Sequence, residues 1–421
     1  MAIIILAVIY LTFVSMGLPD SVLGSSFPAI SENLGLMADQ GGLIAMIVSA
    51  GTVVSSLASS WLLKRIRTPL LVGLSVLMTA VALVCFAFVT AAYTWAFYLI
   101  AILLGIGGGG IDAALNNYVA LNYKAIHMNW LHCSWGIGVT TSPLIIGHFI
   151  DPGANSAGWQ KGVLLISFLQ LGLCAIVFLS LPLWNRVAKA KNEQPAKDPG
   201  RANAGGPKPT LREMGIFGNP VFYLAMVGFF CYCALENTTG LWIASYFNVE
   251  KGLDTNQSAM ITSMFYIGLT IGRFLAGVLS LKLNEKTLIR IGEGILAGGI
   301  LVVFLPLPVS AAIAGFALIG LGCAPIYPAI IRSKPYRFSR TFSQNAMGLE
   351  MAFAYVGNMS IPPLFGVVAE AAGQAFYPLP AVLSVLLVVL VRCHEAANRL
   401  LALRDRTLSP EHPRAYTACT A

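Results

Sequence analysis

The stretch Gly105-Ile-Gly-Gly-Gly-Gly-Ile-Asp112-Ala-Ala-Leu-Asn116-Asn117 decides how this chain is read. It lies inside an apolar run from about Thr94 to Asn122, long enough to cross about 30 Å of hydrocarbon as a helix. An Asp at the centre of such a helix costs about 2.5–3.5 kcal/mol on an insertion scale, so Asp112 is expected to face protein or a water-filled cavity rather than lipid. With 3.6 residues per turn, Gly105, Gly108, Gly109, Asp112 and Asn116 fall on one face, small residues followed by polar ones. Such a face can pack closely and still offer groups to a ligand.

The rest of the chain has the same character. Its 421 residues are 57% hydrophobic and only 10% charged, with mean hydropathy +0.76, which is too little charge to coat a soluble globule of this size. An integral protein of the lipid bilayer is expected. The net charge of +8 does not point to nucleic acid, because the basic residues sit in short connections between apolar runs. No Cys-x-x-Cys pair with metal spacing occurs, so the cysteines read as packing residues and neither a metal nor a cofactor is expected. No Lys or Arg precedes the first apolar run, so a cleaved signal peptide is not expected.

Twelve apolar segments can be counted: 3–27, 40–63, 69–91, 94–122, 128–150, 161–184, 220–247, 257–281, 287–307, 309–331, 345–368 and 375–393. Each can span a bilayer, and an even number puts both termini on one side. Of the 26 Lys and Arg, only Lys161 and Lys251 fall in loops on the opposite side and only Arg273 within a helix, leaving 23 on the side of the termini. The positive-inside rule then makes both termini cytoplasmic. The one long polar interruption, Asn185 to Asn219, is rich in Pro, Gly and Lys and reads as a cytoplasmic linker. The expected layout is a six-helix half over residues 1–184, the linker over 185–219, a second six-helix half over 220–396 and a cytoplasmic tail over 397–421.

The two halves look like repeats. Gly138-x4-Pro143-x3-Gly147 in the fifth segment returns as Gly357-x4-Pro362-x3-Gly366 in the eleventh, shifted by 219. Gly105-x-Gly107 in the fourth is echoed by Gly320-x-Gly322 in the tenth, shifted by 215, and Asp20 and Glu236 are 216 apart. The fold class is therefore all-α, twelve transmembrane helices in two six-helix pseudo-repeats, as in the major facilitator fold.

Polar groups inside apolar helices are the candidate site. Asp20, beside Pro19, shares a face with Gly17 and Gly24; it serves a cavity or reaches water near the outer end. Asn129, His132 and Gly136 share a face with Trp135 beside it, bringing a donor, an acceptor and an aromatic plate together as sugar sites do. His132 can equally be a satisfied structural residue. Glu236 lies about midway across its helix, too deep for an outer loop to solvate, with Tyr232, Thr239 and Gly240 on its face and Asn237 and Trp242 nearby. Arg273, placed near the cytoplasmic end of its helix, snorkels or pairs with Glu293 or Glu350 in a structural or gating role. Tyr327, between Pro325 and Pro328, and Asn358, before Pro362, mark irregular turns that can line a cavity. Asn117 completes the polar end of the fourth segment. Literal matches to a dinucleotide fingerprint at Gly105-x-Gly107-x-x-Gly110 and to glycosylation sites at Asn237 and Asn358 fail, because all lie within spanning helices.

Three stretches, Gly17-Leu-Pro-Asp-Ser-Val-Leu-Gly24, Asp112-Ala-Ala-Leu-Asn-Asn117 and Leu131-His-Cys-Ser-Trp-Gly136, make the chain resemble the fucose permease-like sugar:proton symporters of the major facilitator superfamily, and more closely their bypass-of-stop-codon branch. The resemblance covers essentially residues 1–396. It implies that an acid in the first helix and one in the fourth serve proton coupling and substrate binding, which by motif position are Asp20 and Asp112. Two features depart from the group: its fourth-helix acid is commonly Glu, and the loop Trp61-Leu-Leu-Lys-Arg-Ile-Arg67 lacks the superfamily's usual Gly-x-x-x-Asp-Arg pattern.

The expectation is a secondary transporter, not an enzyme, that moves a small polar solute, a sugar, with protons by alternating access. Asp20, Asp112 and Glu236 carry the proton coupling, and Asn116, Asn117, Asn129, His132, Trp135, Asn237, Trp242, Tyr327 and Asn358 hold the solute. A monomer in the cell membrane is expected, and sodium in place of protons is not excluded. A proton-coupled drug or metabolite exporter shares these features, and a non-transporting nutrient sensor is a remoter alternative. An intramembrane aspartyl protease is disfavoured by the contexts Leu18-Pro-Asp20 and Gly110-Ile-Asp112. An ATP-driven pump is disfavoured because no Gly-Lys dipeptide, and so no Walker A loop, occurs.

Overall fold

The computed structural model describes residues 2–63, 65–123, 125–192, 218–337 and 340–407. Most of the expected linker and the last residues of the tail lie outside them. Thirteen α-helices follow one another: α1 (Ala2–Asp20), α2 (Val22–Leu34), α3 (Ala38–Leu62), α4 (Thr68–Ala87), α5 (Ala96–Asn122), α6 (Ala125–Phe149), α7 (Trp159–Asn192), α8 (Pro220–Lys251), α9 (Thr255–Leu279), α10 (Glu285–Phe304), α11 (Val309–Arg337), α12 (Arg340–Ala371) and α13 (Leu379–Thr407). Helices α1 and α2 form one broken span. Pro19 sits inside α1 just before the break at Ser21, where it cannot donate a backbone hydrogen bond. Ser21 turns its hydroxyl to the Val139 carbonyl of α6, 3.0 Å away.

Eleven of the described spans are long and apolar enough to cross a membrane. Helix α6 matches them in length at 25 residues, but its His, Asn, Ser and Thr residues lower its hydropathy. Several helices outrun the apolar segments read from sequence, because backbone hydrogen bonding continues into water where hydropathy stops. In α13, Arg392 and Arg399 flank Glu395 at 3.9 and 3.8 Å, the i,i+3 and i,i+4 spacings that support an exposed helix.

The glycine motifs explain why the helices lie where they do. In α5, Gly105 faces Val48 and Gly51 of α3, while Gly107 faces Ser75 and Thr79 of α4. In α11, Gly320 faces Phe265 and Leu269 of α9, while Gly322 faces Gly292 and Leu296 of α10. The second repeated motif behaves the same way. Gly138 of α6 packs on Val14 and Gly17 of α1, and Gly357 of α12 packs on Phe230 of α8. Its closing glycines cross to the other set: Gly147 meets Asn256 and Met260 of α9, and Gly366 meets Ala38 of α3. Helices α1–α7 and α8–α13 are thus two copies of one six-span plan, joined chiefly through α3 with α12, α6 with α9, and α2 with α8. An apolar core containing Leu18, Ile30, Phe229, Leu235 and Phe265 runs through both sets.

Small residues let backbones approach, and hydroxyls then bond across. Ser55 Oγ donates to the Ile106 carbonyl at 2.6 Å and Thr52 Oγ1 to the Gly105 carbonyl at 3.3 Å. Away from these crossings, α10 and α13 are tied by a buried pair, His394 Nδ1 to Glu293 Oε1 at 2.5 Å, with the side chains 6% and 9% exposed.

Two stability predictions follow from the packing. Gly138→Val puts a side chain against the Val14 carbonyl and should destabilise the protein by about 1–3 kcal/mol, as overpacking does. Gly108→Ala, which meets open space, should melt in detergent no lower than the parent. His394→Leu leaves Glu293 buried without its partner and should cost about 3–5 kcal/mol, whereas Glu293→Leu/His394→Leu should recover most of that loss. Melting of the four variants beside the parent, followed by thiol reactivity or tryptophan emission, checks the order.

Candidate functional site

One cavity of about 350 Å³ lies between the two sets, within the usual range of small-molecule sites, about 300–1,000 Å³. It is lined from both sides, by Asp20, Asp112, His132 and Trp135 of the first set and by Glu236, Asn237, Arg273, Tyr327 and Asn358 of the second. The glycine run of α5 accounts for the position of Asp112. Gly105 and Gly109 hold α5 against α3, while Gly108, with no atom near it, opens the wall one turn before Asp112. The same face therefore packs at one edge and faces the cavity at the other.

Each acid has a distinct partner. Asp112 Oδ1 accepts from Asn116 Nδ2 at 2.7 Å, one turn along α5. Asp20 Oδ2 accepts from the indole Nε1 of Trp135 at 2.7 Å, bridging α1 and α6. Glu236 takes two partners: the Tyr232 hydroxyl donates to Oε2, and Arg273 Nη2 lies 3.3 Å from Oε1. Arg273 also places its guanidinium over Trp135, 4.5 Å from the ring centroid. Asn237 Nδ2 donates to Asn358 Oδ1 at 2.8 Å, and the Tyr327 hydroxyl lies 3.7 Å from Met351 Sδ. His132 stands edge-on to Phe13 with ring centroids 5.9 Å apart.

The sequence reading paired Arg273 with Glu293 or Glu350; its partner is Glu236. The reason is the face it occupies, since Arg273 points into the bundle and lines the cavity, while Glu293 is taken by His394 across α10 and α13. Glu350 is buried in α12 at 1% exposure and outside the cavity wall. Asn116 reaches the site only through Asp112. Asn117 is on the exposed side of α5. Trp242 is fully buried, its Nε1 donating to the Pro362 carbonyl at 2.9 Å and its ring packed on Phe27. Asn129 belongs to α6, but its side chain lies outside the described residues.

Three aromatic wall residues, Phe86 and two tyrosines, escaped the sequence reading, and the tyrosines had a signal in it. Tyr266 precedes Arg273 by seven residues, two turns on one face of α9, and Tyr355 precedes Asn358 by three on α12. The signal was present as helical spacing from residues already singled out.

The two sets meet beside the cavity at the end of the bundle remote from α1's start. There Gly24 meets Gly240 and Leu241, Gly42 meets Pro363, and the Ala38 amide donates to Glu370 Oε2 at 3.3 Å. Ser156 Oγ shares a 2.7 Å hydrogen bond with Thr255 Oγ1 and donates to Glu32. Toward the opposite end the lining continues to Gly277 in the last turn of α9.

The sequence pattern of the Major Facilitator Superfamily matches residues 9–330 and 250–411. Among relatives, Bypass of stop codon protein 6 of Saccharomyces cerevisiae is 22% identical over 395 residues, covering 87% of this chain and 77% of that protein. The glucose/mannose transporter GlcP of Bacillus subtilis is 26% identical over 327 residues, covering 76% and 77%. The E. coli fucose:proton symporter FucP superposes with a TM-score of 0.62 at 16% identity, covering 94% of this chain and 98% of that one, which speaks to the fold alone. The repeated six-span plan, the cavity between its copies and the matched pattern together make this chain a member of the Major Facilitator Superfamily, a transporter and not an enzyme.

Proposed function

We propose that the chain moves a small neutral polar solute, a sugar, across the cell membrane coupled to protons by alternating access. The observation that carries the reading is the charge in the cavity. Three carboxylates reach it, and among the described lining residues one guanidinium does, already bound to Glu236. That leaves Asp20 and Asp112 without a cation to neutralise them. A carboxylate facing a low-dielectric wall is discharged most simply by taking up a proton. The neutral donors and acceptors of Asn237, Asn358, Tyr327 and His132 suit hydroxyl groups, and Trp135, Tyr266 and Tyr355 supply apolar faces for a sugar ring. The relative named as a glucose/mannose transporter supports the same solute class.

In this reading residues 1–184 and 220–396 rock about the cavity, joined by the linker 185–219. With both termini cytoplasmic, the end where the two sets meet through Gly24 and Gly42 would face outside, as in an inward-facing arrangement. One chain encloses a whole cavity, so a monomer suffices. Sodium is the competing coupling ion, since Asp20, Asp112 and the carbonyls near Pro19 are hard oxygen ligands. Two acids without a cation also suit a proton-driven exporter of lipophilic cations, the second reading.

The test is uptake of labelled hexoses and deoxyhexoses into proteoliposomes. A gradient of one pH unit, worth ~1.4 kcal/mol, supports about tenfold accumulation at one proton per solute. The parent should approach that value, and Asp112→Asn should exchange the sugar without accumulating it. Uptake that responds to a sodium gradient alone replaces the proton. No movement of any sugar, with extrusion of lipophilic cations instead, overturns the symport reading in favour of export.

A further inference from the structure

Trp135 is read from sequence as a plate for a sugar ring, yet part of that plate is already covered. The Arg273 guanidinium lies 4.5 Å from its centroid, while its Nε1 is held by Asp20 at 2.7 Å. The same guanidinium is 3.3 Å from Glu236, whose other oxygen accepts from Tyr232. An unbroken string thus runs Asp20, Trp135, Arg273, Glu236, Tyr232, through α1, α6, α9 and α8 in turn. It begins on an acid of the first set, reaches the acid of the second and ends on that acid's tyrosine partner, and its Trp135–Arg273 contact crosses the boundary between the sets.

We propose that Trp135 is the positioning residue that links Asp20 to the Arg273–Glu236 ion pair, so that discharge of Asp20 loosens the guanidinium from Trp135 and Glu236 and frees the ring face for solute. The proposal rests on the proton-coupled reading above, but its first test does not. The physics lies in one ring serving two partners. A hydrogen bond to an ionised carboxylate is roughly twice as strong as a neutral one, and it pushes electron density onto the indole face that attracts the guanidinium. When Asp20 is neutral, both the anchor on Nε1 and that polarisation weaken together. Arg273 then has Glu236 alone, and a solute hydroxyl competes for it.

The geometry of α6 against α9 makes the link tight. Gly136, the residue after Trp135, abuts Thr270, and Thr140 Oγ1 lies 3.5 Å from Thr270 Oγ1. Ser263 Oγ of α9 donates to the Thr140 carbonyl of α6 at 2.9 Å. Because α6 and α9 belong to different sets, rocking of one against the other changes the distance from Trp135 to Arg273. Among the described residues, the other titratable groups that face the string are Asp112 of α5 and Tyr266 of α9 toward Asp20, Cys233 of α8, Tyr266 of α9 and Cys323 of α11 toward Glu236, and Cys133 of α6 and Tyr327 of α11 toward Arg273. His132, one turn before Trp135 on α6, faces Arg273 as well.

The first measurement is the pH dependence of the difference in emission between the parent and Trp135→Phe in detergent, which isolates this indole among the seven tryptophans. It should titrate in the parent background and be flat when both proteins also carry Asp20→Asn, with Asp20→Ser used if that variant is not recovered folded. Emission that is independent of pH, or titrates equally without Asp20, overturns the link whatever the solute is. The second measurement is transport. Trp135→Phe keeps an aromatic face and loses the donor, so accumulation should fall from about tenfold to under about threefold, a larger loss than any seen in exchange. In the Asp20→Asn background the same substitution should change nothing further. A plain sugar plate predicts the reverse, a raised KM in both modes that adds to the effect of Asp20→Asn. Absence of proton-driven accumulation in the parent removes the proposed function and leaves the emission result standing.

Discussion

A polar group inside hydrocarbon has no water to fall back on, so the protein must supply its partner, and the crossings of α1 with α6 and of α3 with α5 serve that requirement. Supplying partners requires helices close enough to reach one another. Gly17 and Gly138 bring α1 onto α6, and with the crossing set, Ser21 and Val139 bond and the Trp135 indole reaches Asp20. On α5, Gly105 and Gly109 perform the same service beside α3, and Gly108 leaves the opening into which Asp112 projects. The glycines are thus the cause of the cavity's position as well as of the packing around it.

Most of the fold was legible because it repeats. The spacing Gly-x4-Pro-x3-Gly occurs twice at one offset, and in three dimensions its first glycine packs within its own set and its last across the boundary, in both copies. Hydropathy located the spans but not their ends, since helices such as α13 continue past the hydrocarbon on exposed ion pairs that carry no apolar signal. The break at Ser21 was foreshadowed by Pro19, but the extension of the broken span to Leu34 was not.

The site was legible where a charge had to be explained. Asp20, Asp112, Glu236, Asn237 and Asn358 all reach one cavity because each is costly in lipid and cheap there. Trp242 illustrates the limit: an indole next to such residues looks like a site residue, yet a half-turn of helix sends it into the core against Phe27. Arg273 illustrates another. Depth along a helix suggested Glu293 and Glu350 as partners, but pairing depends on the azimuth of each residue around its helix, which sequence fixes only relative to its own turn.

The scaffold is nearly symmetric and the chemistry placed on it is not. The offset of 215 that superposes the α5 and α11 glycines carries Asp112 onto Tyr327, and both line the cavity. Asp20 and Glu236 likewise stand at matching places, but one is held by a neutral indole and the other by a guanidinium. Uncompensated negative charge therefore collects on the first set, while the second presents a neutralised pair and hydrogen-bonding amides. A device that must load a proton and a neutral solute together gains from that division. Charge changes on one wall need not unseat a solute bonded to the other, and the contact of Trp135 with Arg273 is where the two walls meet.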